Sequence, residues 1–101
     1  MKNPFRLLET LEIPVSYFKN EKDIEPPYLI YLGTGTDSFI ADDSVFHHKN
    51  NYRVEYYFNR KDEEFEEKII KLFNDNKIIW TKSEDIYIDD ENMFVIYFDL
   101  M

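Results

Sequence analysis

The chain contains no cysteine, which excludes disulfides and thiolate metal ligands and leaves the redox compartment open. It has only two glycines, Gly33 and Gly35, so there is almost no material for a glycine-rich phosphate cradle. Cationic residues are scarce too: 12 Lys and Arg against 21 Asp and Glu give a formal charge of −9. Duplex DNA and anionic lipid both demand clustered cations to displace counterions, so this balance disfavours direct binding to nucleic acid or membrane. Long apolar runs are also missing. No stretch approaches the about 18 residues of a membrane span. The opening "MKNPFRLLETLEIP" is broken by Arg6, Glu9 and Glu12, too interrupted for a signal peptide. Together these absences predict an acidic, soluble domain of the cytosol.

Apolar and aromatic residues are plentiful, at 44% and 18% of 101 residues. Disordered chains lack the apolar surface to offset chain entropy, so a folded single domain over 1–101 is expected, burying roughly two thirds of its unfolded surface. Asn3-Pro4 reads as the start of a helix carrying Phe5, Leu8 and Leu11, stopped by Pro14. "VSYF" (15–18) and "YLIYL" (28–32) read as strands, the second preceded by Pro26-Pro27. "YRVEYYF" (52–58) alternates with period two, while Val45 and Phe46 either begin that strand early or form an arm that pairs on assembly. "KDEEFEEKIIKLFNDNK" (61–77) predicts a helix capped by Asp62, with Phe65, Ile69, Leu72 and Phe73 buried and Glu63, Glu66, Glu67 and Lys71 wet. "IIWTK" (78–82) is a further strand, and "DIYI" (85–88) with "MFVIYFDL" (93–100) makes a closing hairpin around "DDEN". The expected fold class is α+β: a small antiparallel or mixed sheet packed with two α-helices, in the order α-β-β-β-α-β-β-β.

Catalytic patterns do not form. "GTGTDS" has Ser38 where a dinucleotide fingerprint needs its third small residue, and no amphipathic helix starts there to hold a pyrophosphate. The glycines are better read as a turn that tolerates positive φ. Asp37, Asp42 and Asp43 lack the alternating spacing and closing Glu of a calcium loop. His47 and His48 are adjacent, so an extended backbone points them to opposite faces. No catalytic, cofactor-binding or metal site is therefore expected, and the protein reads as a non-enzyme. The last strand has Phe94, Ile96 and Phe98 on one face and Met93, Val95 and Tyr97 on the other. Such a strand is either central between helices on both faces or pressed against another protein.

The stretches "PPYLIYLGTGTDSFIADDSVFHHKNNYRVEYYF", "KDEEFEEKIIKLFNDNKIIW" and "EDIYIDDENMFVIYFDL" resemble the small tail-completion, or head-to-tail joining, proteins of long-tailed bacteriophages. Thr36, Asp37, Phe39, Ala41 and Asp42 occupy the positions of that family's loop, and Tyr52, Arg53 and Glu55 those of its strand. The resemblance implies a tail-terminator-like fold and a structural virion component, present in the host cytoplasm during assembly. It implies a homo-oligomeric ring, hexameric on assembly, that caps the tail tube and meets the head connector, with the genome passing through and no direct nucleic-acid binding. Thr36, Asp37, Phe39, Asp42, Asp43, Tyr52 and Tyr57 are the candidate partner-interface residues. The alternative is an acidic DNA mimic that blocks the basic cleft of a nuclease or restriction enzyme. It needs a dense, one-sided array of acids, whereas the acids here are dispersed among turns and one helix face.

Overall fold

One long hairpin organises the molecule. The computed structural model describes residues 2–41 and 45–101, with backbone alone at 37–41 and 45–48. Strand β2 runs over Tyr28–Ala41 and β3 over Val45–Phe58, antiparallel from Tyr28↔Tyr57 out to Ala41↔Val45. A short β1, Val15–Tyr17, lies parallel to β2 on one side. On the other side β6, Met93–Leu100, pairs antiparallel with β3. Two short strands, β4 (Trp80–Lys82) and β5 (Ile86–Ile88), then share the outer edge of β6. The result is an α+β domain with a mixed six-stranded sheet and two α-helices among the described residues.

The 33–51 stretch is not the loop that its glycines and aspartates suggest. Both strands continue through it, and the glycines sit at an irregularity within β2. Gly33 pairs with Tyr52 while Gly35 pairs with Asn51, so Thr34 is an extra residue in the ladder. Gly35 has φ +113°, a conformation that L side chains rarely adopt, which is why a glycine stands at this bulge.

Helix α1 spans only Phe5–Glu9, shorter than a run to Pro14. Leu11 and Glu12 close with tighter bonds to Leu8 O and Glu9 O, and Glu12 turns the chain at φ 63°. Pro14 disfavours helical backbone at Ile13, so the chain must turn before it. Helix α2, Glu63–Asp75, begins where Asp62 accepts a hydrogen bond from Phe65 N at 3.1 Å. Glu63, Glu64 and Glu66 in its first turn suit the positive end of the helix dipole. It ends as Lys77 enters the left-handed region (φ 57°) and Ile78 N reaches back to Phe73 O at 2.9 Å.

Both helices pack on the same face of the sheet. Phe5 of α1 meets Tyr31 at 5.9 Å between ring centroids, while Phe65 and Phe73 of α2 meet Tyr56 at 5.4 Å and Phe98 at 5.6 Å. Leu8, Leu29, Val54, Phe58, Ile69, Ile96 and Leu100 complete this core. Among the described residues, helices therefore cover one face of β6 and not both. Its second face carries Met93, Val95 and Tyr97; Val95 is buried there, with no helix among the described residues over it.

The closing hairpin forms between β5 and β6 as the turn residues suggest, through a 3-10 turn at Asp89–Glu91 and a left-handed Asn92. Strands β4 and β5 behave as one interrupted strand. At the break Ser83 N donates to Tyr97 O at 2.9 Å, and Ser83 Oγ accepts from Tyr97 N at 2.9 Å. A side chain here stands in for a backbone carbonyl, so the ladder stays satisfied across the interruption.

Candidate interaction surface

The helix-free face follows from strand alternation and register. Three rows cross β2, β3 and β6: Leu32–Arg53–Asp99, Ile30–Glu55–Tyr97 and Tyr28–Tyr57–Val95. Arg53 Nε donates to Asp99 Oδ1 at 2.8 Å, and the Arg53 guanidinium carbon lies 4.9 Å from the Tyr97 ring centroid. The hydrogen bond to Asp99 holds the guanidinium charge more firmly than usual. Tyr57 donates to Glu55 Oε1 at 2.8 Å and stacks on Tyr28 at 4.9 Å. Burial and then the bond to Glu55 push the Tyr57 phenol well above the ordinary tyrosine range. Burial likewise raises Tyr28.

These groups satisfy one another. Arg53 is already engaged by a carboxylate, and Tyr57 keeps its proton. Tyr28, Ile30 and Val95 are buried, while Arg53, Glu55, Tyr57, Tyr97 and Asp99 are half-buried and interleave aromatic with charged groups, a texture suited to protein contact. At its lower end the 18–26 segment rises beside β2. Asn20 ties that segment together by donating to Ile24 O at 2.8 Å and accepting from Ile24 N at 2.9 Å. Between segment and strands lies a groove of about 530 Å³ that includes Tyr28, Ile30 and Tyr57 in its lining.

Of the predicted interface residues, Tyr57 sits in this face and Tyr52 does not. Tyr52 points to the helix side and packs against the core. Thr36 is exposed on β2 opposite Asn50. Asp37 and Phe39 take register positions opposite Lys49 and His47. Asp42 and Asp43 lie outside the described residues. The five described residues divide among the sheet's two faces, with Tyr57 on one and Tyr52 on the other, and the outer part of the hairpin, with Thr36, Asp37 and Phe39.

No protein-family model and no curated protein matches this chain. Its functional reading accordingly rests on its own residues. Among the described residues no group of three or more His, Asp and Glu is placed to hold a metal ion. Among them, too, no helix is long and apolar enough to cross a membrane.

Glu66 was expected to be wet, and is instead 4% exposed. The buried stripe of α2 combines Glu66 with Ile69, Ile70 and Phe73, a spacing of i, i+3, i+4 and i+7. Ile69 and Phe73 are buried and Phe65 packs on the core as the spacing predicts; Glu66 joins them against the expectation from its charge. Lys61 Nζ donates to Glu66 Oε1 at 2.9 Å and to Asp85 Oδ2 at 2.9 Å, and Lys82 Nζ lies 3.6 Å from Glu66 Oε1. The cluster fastens the start of α2 to β4 and to the residue before β5.

Burial works against the Lys61 charge, but the bonds to Glu66 and Asp85 outweigh it and raise its pKa above the ordinary 10.5. A raised lysine contributes stability that is complete below pH 10.5 and is lost as pH climbs through the folded value. Tyr56 adds to the same alkaline loss. Burial lifts its phenol from 10.0 to about 12, so above pH 10 the unfolded chain ionises first. The melting temperature should therefore fall between pH 10 and 12, and less steeply for Glu66→Gln, which weakens Lys61's charge partner. Parallel pH profiles for the two proteins would remove the lysine from this account.

Proposed function

We propose that the protein is a tail-completion component of a long-tailed bacteriophage. In this reading it adopts a tail-terminator-like fold, assembles into a hexameric ring, caps the tail tube when elongation ends and presents a docking face to the head connector. It resides in the virion, and in the host cytoplasm before that. The carrying observation is the outer hairpin. The stretch that resembles the family's loop, "TDSFIAD", begins on a strand that leaves the body of the sheet, where a neighbouring subunit can reach it. The helix-free face with Tyr57, Tyr97 and Arg53 adds a second contact surface of the aromatic and arginine type common at interfaces. A charge of −9 suits a lumen that must let DNA slide past.

The test is light scattering on the purified protein, alone and mixed with tail-tube protein. A discrete ring-sized species, or co-assembly with tubes, is expected. A monomer that joins neither tube nor connector would overturn the proposal, and tight inhibition of a nuclease would favour the acidic mimic instead.

A further inference from the structure

Beyond Gly33 and Tyr52 the hairpin has lost its neighbours. Strand β1 pairs only with Leu29–Tyr31, and β6 stops at Tyr52↔Leu100. Among the described residues, no third strand lies against 33–41 or 45–51. This two-stranded arm extends about 30 Å at 3.3 Å per residue. It is a main reason why the molecule measures 51 × 26 × 24 Å. An isolated two-stranded hairpin is marginal in water, and a strand edge is a template for pairing with another chain.

We infer that the outer edge of β2 in this arm, residues 33–41, accepts the outer edge of β3, residues 45–51, from a second copy of the chain. The inference rests on the ring reading above and names the surface that would build it. Charge selects the occupant. The 33–41 strand carries one formal charge, Asp37, and no cation; the 45–51 strand carries Lys49 and two histidines and no acid. Another copy's 45–51 strand would therefore set Lys49 and two histidines beside a β2 edge whose one charge is Asp37.

Geometry agrees. Copies in the same orientation would alternate β3, β2, β3, β2, antiparallel throughout, in a head-to-tail contact that can close into a ring. The incoming strand would take up the track that β1 abandons at Tyr17. Beside it a notch of about 510 Å³ runs from Tyr17 past Gly33 and Gly35 to Asn50 and Tyr52 of β3. Tyr17 and Phe18 stand 57% and 64% exposed at this root, apolar surface that a docked strand would cover.

The experiment compares sedimentation velocity of the full chain with a shortened chain in which residues 34–51 are replaced by Asn-Gly, a two-residue hairpin turn. The full chain is expected to self-associate with rising concentration, and the shortened chain to do so more than about tenfold more weakly. Hydrogen exchange on the unaltered chain removes dependence on the variant's folding. Amides in 33–41 and 45–51 should gain protection at high concentration, and those of α2 should not. Unchanged association on shortening, a full chain that never associates, or association without arm protection would each overturn the inference. An arm-paired oligomer that ignores tail-tube protein would sink the tail reading and leave the arm pairing standing. Tube binding with arm-independent oligomers would do the reverse.

Discussion

Ile69→Asp should yield no folded protein at neutral pH. Ile69 is fully buried on α2, in the layer between that helix and the sheet. Truncating such a side chain costs about 2–5 kcal/mol before any charge is considered. The new carboxylate would either stay ionised without a partner or take up a proton, and each route adds several kcal/mol. Glu66 lies one turn earlier on the same stripe, so the substitution also sets two acids side by side. A domain of this size has a total stability of about 5–15 kcal/mol. Far-ultraviolet circular dichroism without a cooperative melt is the expected result. A variant melting within a few degrees of the parent would mean that α2 does not close the core.

Phe98→Ala should leave a folded but much weaker domain. Phe98 is fully buried at the centre of β6, edge-on to Phe73 at 5.6 Å and to Trp80 at 6.4 Å. Phe-to-Ala changes in cores cost about 3–5 kcal/mol, from lost transfer energy and from the cavity left behind. Because that is less than the total, the urea midpoint should move down by roughly 2 M while the slope is kept. The molecule carries its own probe. Trp80 is the sole tryptophan, and its Nε1 donates to Asn74 Oδ1 at 2.8 Å. Its emission should shift red in the variant even before unfolding, as one side of the indole loses a packing partner. An unchanged midpoint would show that neighbours refill the space without loss.

Much of this body was legible from patterning. The α2 cap at Asp62, the alternation of 52–58 and the two-sided β6 are local signals, and local geometry determines them. What escaped was decided by tertiary context. Glu66 is buried because Lys61 and Lys82 come to meet it, one of them from a strand sixteen residues on. The polar, glycine-bearing stretch after Leu32 has the composition of a turn, yet its two arms pair because the hairpin is already in register at Tyr28↔Tyr57. The candidate interface was the least legible part, since sequence neighbours such as Thr36 and Tyr52 end in different surroundings. Period-two alternation separates the two faces of a strand, and it does not say which face the helices will choose.

The break at Ser83 has one more consequence. A sheet can recruit foreign strands only where its margin is long and regular, and here the β4–β5 margin is cut into two three-residue pieces with Lys82 beside the cut. The opposite margin, β1, is also only three residues long. Both flanks of the body are thus blunted against edge-to-edge stacking. Self-association at high concentration should then run through the arm, and not through either flank of the body.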